Sequence, residues 1–256
     1  MRKALLKFME EMTLDELARL GVFTVRDVVE KTSLKESEVK HLLPWLAKKG
    51  WLERIEKGKY MVIPLGAEKG KYTVNEFVIG TLLVDPSAIA YWSALNYHGF
   101  TEQIPATVFV QTTSRKKKSE LEVFGVKYRM VKVSPKKFFG VEMNWIENYR
   151  IPITSKEKTI VDCLDKPKYC GGIIEVAKAL KSGEFDEELL IDYALRIGNS
   201  GVIRRLGYLS ELFDLDITLP QVKTRNYLLL DPTMPKKGET NSKWKLIINV
   251  DVGEIE

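Results

Sequence analysis

The chain has 256 residues, of which 45% are hydrophobic, 29% charged and 10% aromatic, and its formal net charge is +5. That composition excludes a disordered or fibrous chain and leaves room for two domains with a substantial core. The mild positive balance is compatible with a nucleic-acid partner but is far from a histone-like polycation.

Residues 1 to about 20 read as one amphipathic helix, with Leu5, Leu6, Met9, Met12, Leu14, Leu17 and Leu20 on its apolar face and Gly21 as its stop. Such a helix either completes a small core or dimerises. Arg2 and Lys3 do not open a signal peptide, because Lys7, Glu10 and Glu11 interrupt the run behind them. No apolar stretch reaches the length of a membrane span, so a cytoplasmic protein with no membrane partner is expected.

Phe23 to Pro64 carries the densest signal. Thr24 is an N-cap with Asp27 as its reciprocal partner, and Val25, Val28 and Val29 share a helical face. A turn follows at Thr32, Ser33 and Leu34. Val39, Leu42, Leu43 and Leu46 then recur at helical spacing, and Gly50 stops that helix behind Lys48 and Lys49. Trp51 to Ile55 and Tyr60 to Val62 fit two strands, with Glu56-Lys57-Gly58-Lys59 between them. Helix, turn, helix and basic hairpin make a winged helix-turn-helix. With the apolar stripe inward, Lys35, Ser37, Lys40, His41 and Pro44 face outward, where a helix entering a major groove needs donors. Lys57 and Lys59 are placed at the wing tip, suited to phosphate. Pro44 deletes a helical hydrogen bond and predicts a kink.

Pro64 to Gly70 reads as a linker, giving domains 1–64 and 65–256. Helices are expected over about 74–83 and from Asp85-Pro86 to Gly99. Strands follow at 106–113, 122–124, 127–133 and 138–145. The run Arg115, Lys116, Lys117 and Lys118 falls in a connection, either as a solvated loop or as a contact surface. Thr154-Ser155-Lys156-Glu157 reads as a capping box opening a helix with Ile160, Val161 and Leu164 inward. Gly171-Gly172 precedes another helix, Asp186 begins the next, and Asn199 caps the last. Its stripe is Val202, Leu206, Leu209, Leu212 and Phe213, with Arg204 and Arg205 on the outer side. Strands at about 227–230 and 244–250 close a mixed α+β chain.

Chemistry is sparse. His41 is assigned to the exposed helix, and His98 sits at a helix end where a capped carbonyl explains it. Cys163 and Cys170 have no metal-binding spacing; a disulfide is open to them, as is a role as small buried hydrophobes. No phosphate-cradling glycine motif occurs. Asp162, Asp165 and Asp231 are carboxylates of the type a metal nuclease uses, by residue type only, and nothing in the spacing places Asp162 on one helical face with both Glu157 and Lys158. No catalytic residue, metal ligand or cofactor is expected.

Several stretches share a family resemblance. Tyr91-Trp-Ser-Ala-Leu-Asn-Tyr-His-Gly-Phe-Thr-Glu-Gln-Ile-Pro105, Ile153-Thr-Ser-Lys-Glu-Lys-Thr-Ile-Val-Asp-Cys-Leu164 with Gly171-Gly172, Leu206-Gly-Tyr-Leu209, and Leu230-Asp-Pro232 with Lys237, Gly238, Asn241 and Trp244 stand in the order seen in AbiEi-family antitoxins, which the chain resembles over nearly its whole length. The resemblance implies a winged helix that binds inverted repeats in operator DNA and represses its own operon. It also implies a C-terminal α/β antitoxin and regulatory domain that antagonises a nucleotidyltransferase-like toxin of a type IV system without requiring a stable complex. The implied DNA contacts are Lys35, Ser37, Lys40, His41, Lys57 and Lys59. Two copies on a palindromic site, a homodimer on DNA, are expected separately, because half-site symmetry is the usual way a small reader gains affinity. A basic surface of Arg115 to Lys118 with Arg204 and Arg205 is implied for the second domain. The rival readings are a standalone winged-helix regulator without a toxin and a metal-dependent nucleic-acid-processing enzyme.

Overall fold

A computed structural model of the chain describes residues 2–13, 16–17, 21–63 and 74–253. They divide into two compact units, residues 1–83 with 123–125, and residues 84–122 with 126–256. The linker read at 64–70 lies outside the described residues.

In the first unit α1 (Arg2–Glu11) is followed by β1 (Val22–Thr24), α2 (Val25–Lys31), α3 (Glu36–Lys48), β2 (Leu52–Glu56), β3 (Lys59–Val62) and α4 (Glu76–Leu83). The single helix expected over residues 1–20 is cut at Glu11. Thr13 N–H donates to the Glu16 carboxylate at 2.8 Å and the Thr13 hydroxyl accepts from Glu16 N–H at 3.1 Å, a reciprocal cap that opens a new turn and ends the old one. The buried face also differs. Phe8, Met12 and Leu17 are buried, while Leu6 and Met9 are exposed; Leu14 and Leu20 lie outside the described residues. Thr24 caps α2 with Asp27 in the reciprocal arrangement the sequence predicts. Val39, Leu42, Leu43 and Leu46 are all buried, packed with Phe8, Phe23, Val28, Leu34, Leu52 and Tyr60. Helix α3 runs on through Pro44 to Lys48. β1, absent from the sequence reading, pairs antiparallel with β3 and completes a sheet of order β1-β3-β2. Three residues are too few for an alternating pattern to register.

The second unit contains β4 (Ala88–Ile89), α5 (Tyr91–Tyr97), β5 (Thr107–Thr112), β6 (Glu120–Val123), β7 (Val126–Lys132), β8 (Val141–Ile146), β9 (Tyr149–Thr154), α6 (Lys156–Asp165), α7 (Ile173–Ser182), α8 (Glu187–Arg196), α9 (Ser200–Leu212), β10 (Leu228–Leu229), β11 (Glu239–Asn241) and β12 (Leu246–Ile248). Among the described residues β6-β7-β5-β4-β9-β8 form one sheet and β10-β12-β11 another. Helix α5 does not begin at Asp85-Pro86, a cis peptide. Ala88 and Ile89 are instead drawn into the sheet between β5 and β9, and both are fully buried there. The cap of α6 is Ser155, whose hydroxyl accepts from Lys158 N–H at 3.2 Å; Thr154 is the last residue of β9. Gly172, Asp186 and Asn199 stand at the starts of α7, α8 and α9 as expected.

Arg204 and Arg205 do not ride on an outer side. Both are buried, because the irregular segment around β10 and the strand β12 pack over α9. Arg204 donates to the carbonyls of Trp244 at 2.9 Å and Asn226 at 2.8 Å, and also to Lys245. Arg205 donates to Leu230 at 2.9 Å, Leu164 at 3.0 Å and Leu229 at 3.1 Å. The two guanidinium groups bond carbonyls at the C-terminal end of α6 and in and beside the short strands β10 and β12. Gly207, one turn on, is the position where a Cβ would overlap the Trp244 ring.

Candidate nucleic-acid interface

The first unit places its cations by a few short restraints. Lys35 sits at the N-terminal boundary of α3, and its backbone N–H donates to the Glu38 carboxylate at 2.9 Å. The exposed side of α3 then carries Ser37, Lys40, His41 and Pro44. The Lys40 ammonium lies 2.7 Å from the Glu36 carboxylate, in an ion pair with both side chains more than half exposed. Such a pair contributes little to stability and can open at little cost.

The hairpin is held against the helices by its turn. Val25 N–H, the first of α2, donates to the Gly58 carbonyl at 3.0 Å. Gly58 has φ +80°, a left-handed conformation that suits glycine at this turn. Lys57 beside it is exposed. Lys59 is not at a free tip: its ammonium donates to the Leu83 carbonyl at 2.8 Å and reaches the Glu56 carboxylate at 3.3 Å.

Between α3 and the hairpin lies a groove of about 390 Å³ lined by Val25, Lys40, Pro44, Arg54, Lys57, Gly58 and Tyr60. Three cations therefore converge on a concavity with an apolar floor. Pro44, awkward as a helix residue, forms part of that floor. Arg54 is absent from the sequence reading. Its signal is a basic residue beside buried Ile55, two positions before the turn that starts at Glu56. Burial pushes the Tyr60 phenol up, and the neighbouring Arg54 charge opposes that shift. Lys35, Ser37 and His41 are not part of the lining and lie on the exposed helix outside it.

In the second unit Arg115, Lys117 and Lys118 are exposed on the connection between β5 and β6, with Lys116 partly covered. A cleft of about 570 Å³ lies nearby, lined by residues including Glu120, Lys127, Arg129, Lys168 and Tyr169. Two of its cations are already engaged. Arg129 pairs with Glu120 and lies 5.3 Å from the Tyr169 ring centroid, and Lys168 lies 4.8 Å from the same ring.

The groups that could serve catalysis are dispersed. Asp162 is bonded to Lys158 and, at 2.9 Å, to Gln111. Asp165 accepts from Lys137 at 2.8 Å and Asn199 at 2.5 Å. Asp231 caps α7 through Ile173 N–H at 2.7 Å. His98 Nε2 donates to the Thr154 carbonyl at 2.7 Å, and burial lowers its pKa, which favours the neutral ring. Cys163 and Cys170 are buried free thiols. Among the described residues no group of three His, Cys, Asp or Glu side chains is arranged to hold a metal, and no helix is long and apolar enough to cross a membrane.

Comparison with known proteins gives two findings. Residues 12–63 match the family model described as the AbiEi antitoxin transcriptional regulator, in agreement with the resemblance seen in the sequence. The fold is similar to the crystal structure of the RV2827C protein from Mycobacterium tuberculosis over 94% of this chain and 90% of that one, with a TM-score of 0.64 and 13% identity. At that identity the likeness concerns fold alone. No curated protein matches the sequence.

Proposed function

We propose that this chain, whose residues 12–63 match AbiEi antitoxin transcriptional regulators, is a DNA-binding transcriptional repressor. Its N-terminal domain (1–64) acts as a winged helix-turn-helix, and its second domain (65–256) is a non-catalytic regulatory and antitoxin platform. The observation that carries this reading is the groove between α3 and the hairpin, where Lys40, Arg54 and Lys57 converge on an apolar floor. A groove of that kind fits a phosphodiester backbone, while Ser37, Lys40 and His41 on the adjoining helix offer donors to base edges.

In this reading the operator is an inverted repeat upstream of the gene, bound by two copies so that half-site symmetry raises affinity. The antitoxin role is opposition to a nucleotidyltransferase-like toxin encoded beside it. The match to the regulator family stops at residue 63, so it bears on DNA reading more directly than on the toxin. A standalone regulator is therefore the second reading. A neighbouring nucleotidyltransferase-like gene whose toxicity this chain relieves decides for the antitoxin.

The test is fluorescence anisotropy with DNA from just upstream of the gene against scrambled DNA of equal length at two salt concentrations. Binding confined to the upstream DNA and surviving the higher salt is the expected result. Equal, salt-sensitive binding to both would reduce the groove to a nonspecific basic surface.

A further inference from the structure

The larger sheet of the second unit has two edges, and they are protected differently. β6 carries Glu120 and Glu122, both exposed, and charge on an edge strand discourages pairing with another chain. β8, at the other edge, has a single neighbour in the sheet among the described residues, β9. Its six residues include one charge, Glu142, while Met143 and Trp145 are 48% and 69% exposed.

The direction of the β8 backbone follows from its register. Val141 pairs with Thr154 and Ile146 with Tyr149, and the Gly140 carbonyl accepts from Ser155 N–H at 2.8 Å. Antiparallel ladders alternate, so the polar groups of Gly140, Glu142, Asn144 and Ile146 turn toward β9. Those of Val141, Met143 and Trp145 turn toward the open edge. These three residues are symmetric about Met143, which makes the strand complementary to a copy of itself.

Turned about a two-fold axis at Met143, Val141 meets Trp145 of the second copy, Met143 meets Met143, and Trp145 meets Val141. Each pair can exchange two hydrogen bonds, and an aromatic residue opposite a β-branched one is a favourable cross-strand pair. On the other face Glu142 meets Asn144 of the second copy, a carboxylate against an amide donor, twice. Neighbouring registers are poorer. An axis at Glu142 places two carboxylates opposite each other. An axis at Asn144 carries Val141 onto the turn residue Glu147, whose φ is +53°.

We propose that β8 is a self-association surface through which two copies of this chain pair edge to edge, antiparallel about Met143. The partner is a second copy because the outward backbone groups, the apolar side chains and the single charge are all complementary in one symmetric register. Pairing goes beyond the DNA-binding reading and needs no DNA.

The test is sedimentation of the full chain, without DNA, over a wide concentration series. Wild type is expected to dimerise. Met143→Pro removes an N–H aimed at the open edge and leaves the β9 ladder intact, a position where edge strands tolerate proline. It is expected to remain monomeric with an unchanged circular-dichroism spectrum and melting temperature. The register is tested by Asn144→Lys, which faces Glu142 of the second copy and should tighten the dimer roughly fivefold, and by Asn144→Glu, which should loosen it by a similar factor. If Met143→Pro unfolds, the two Asn144 variants decide. A wild-type monomer at every concentration, a folded Met143→Pro chain that dimerises like wild type, or Asn144 variants that move together would overturn the proposal.

Discussion

The ammonium of Lys59 donates to the carbonyl of Leu83 at 2.8 Å, a contact 24 residues apart in sequence that converts an apparent wing-tip cation into a structural strap. Lys57, two residues earlier, is exposed. Lys57→Ala is therefore expected to weaken binding to all DNA sequences and reduce the salt slope by about one, with stability unchanged. Lys59→Ala is expected to cost about 1–2 kcal/mol of stability and to change the salt slope little. Salt-dependent anisotropy and thermal melts on both variants separate the two roles; equal salt slopes for both would contradict it.

Arg54 enters the groove from the strand β2, so under the proposed function Arg54→Ala should lower DNA affinity as Lys57→Ala does. Lys40→Ala combined with His41→Ala should erode the preference for operator over scrambled DNA. The ratio of the two affinities is the informative quantity. An unchanged ratio in the helix double variant would place base reading on another element.

Glu11 ties the end of α1 to the turn between α2 and α3. Its carboxylate accepts from Ser33 N–H at 2.6 Å and from the Ser33 hydroxyl. The hydroxyl and the backbone N–H of Ser33, in that order, hold the Glu11 carboxyl below its ordinary value of 4.5. A lowered carboxyl pKa means that the unfolded chain binds the proton more readily. The stabilisation is thus fully present above the ordinary value and is lost as pH falls through the folded one. Ser33→Ala should shift the acid unfolding midpoint of the first unit to higher pH, and Glu11→Gln should remove the part that titrates. An acid transition unmoved by either variant would mean the contact carries no linkage.

Lys158 and Asp162 form an ion pair fully enclosed in the second unit, with side chains 0% and 2% exposed. Burial pushes the Asp162 carboxyl up, and the Lys158 ammonium followed by the Gln111 amide oppose that shift. Asp162→Ala leaves a cation buried without its partner, at an expected cost of about 3–5 kcal/mol. Lys158→Met with Asp162→Leu should recover most of that loss. Denaturant melts of the single and double variants check this, and a double variant no better than the single would show that the pair itself, not the orphaned charge, matters.

Arg205 bonds three carbonyls. Arg205→Ala should destabilise the second unit by about 3 kcal/mol or more, since buried acceptors lose their donor. Lys117→Ala on the exposed connection should leave the melt unchanged. If Arg205→Ala kept full stability, the guanidinium would not be holding the short strands.

The sequence by itself determined the local elements whose signals are local. Thr24 with Asp27 fixed the start of α2, the Val39-Leu42-Leu43-Leu46 stripe fixed the buried face of α3, and Gly58 marked the hairpin turn. Caps and periodic stripes act within one or two turns of chain, so they are visible without a fold. Local signals also compete: the cap of Thr13 with Glu16 ends α1 before its apolar periodicity does. The tertiary structure decided what depends on distant partners. Ala88 and Ile89 became a strand because two strands from elsewhere flank them. Lys59, Arg204 and Arg205 read as surface cations, yet each finds carbonyls more than 20 residues away. A charged side chain declares its sign in the sequence, but its exposure is set by what packs over it, and here that includes a groove in which Arg54 joins Lys40 and Lys57 only once the hairpin folds back against α3.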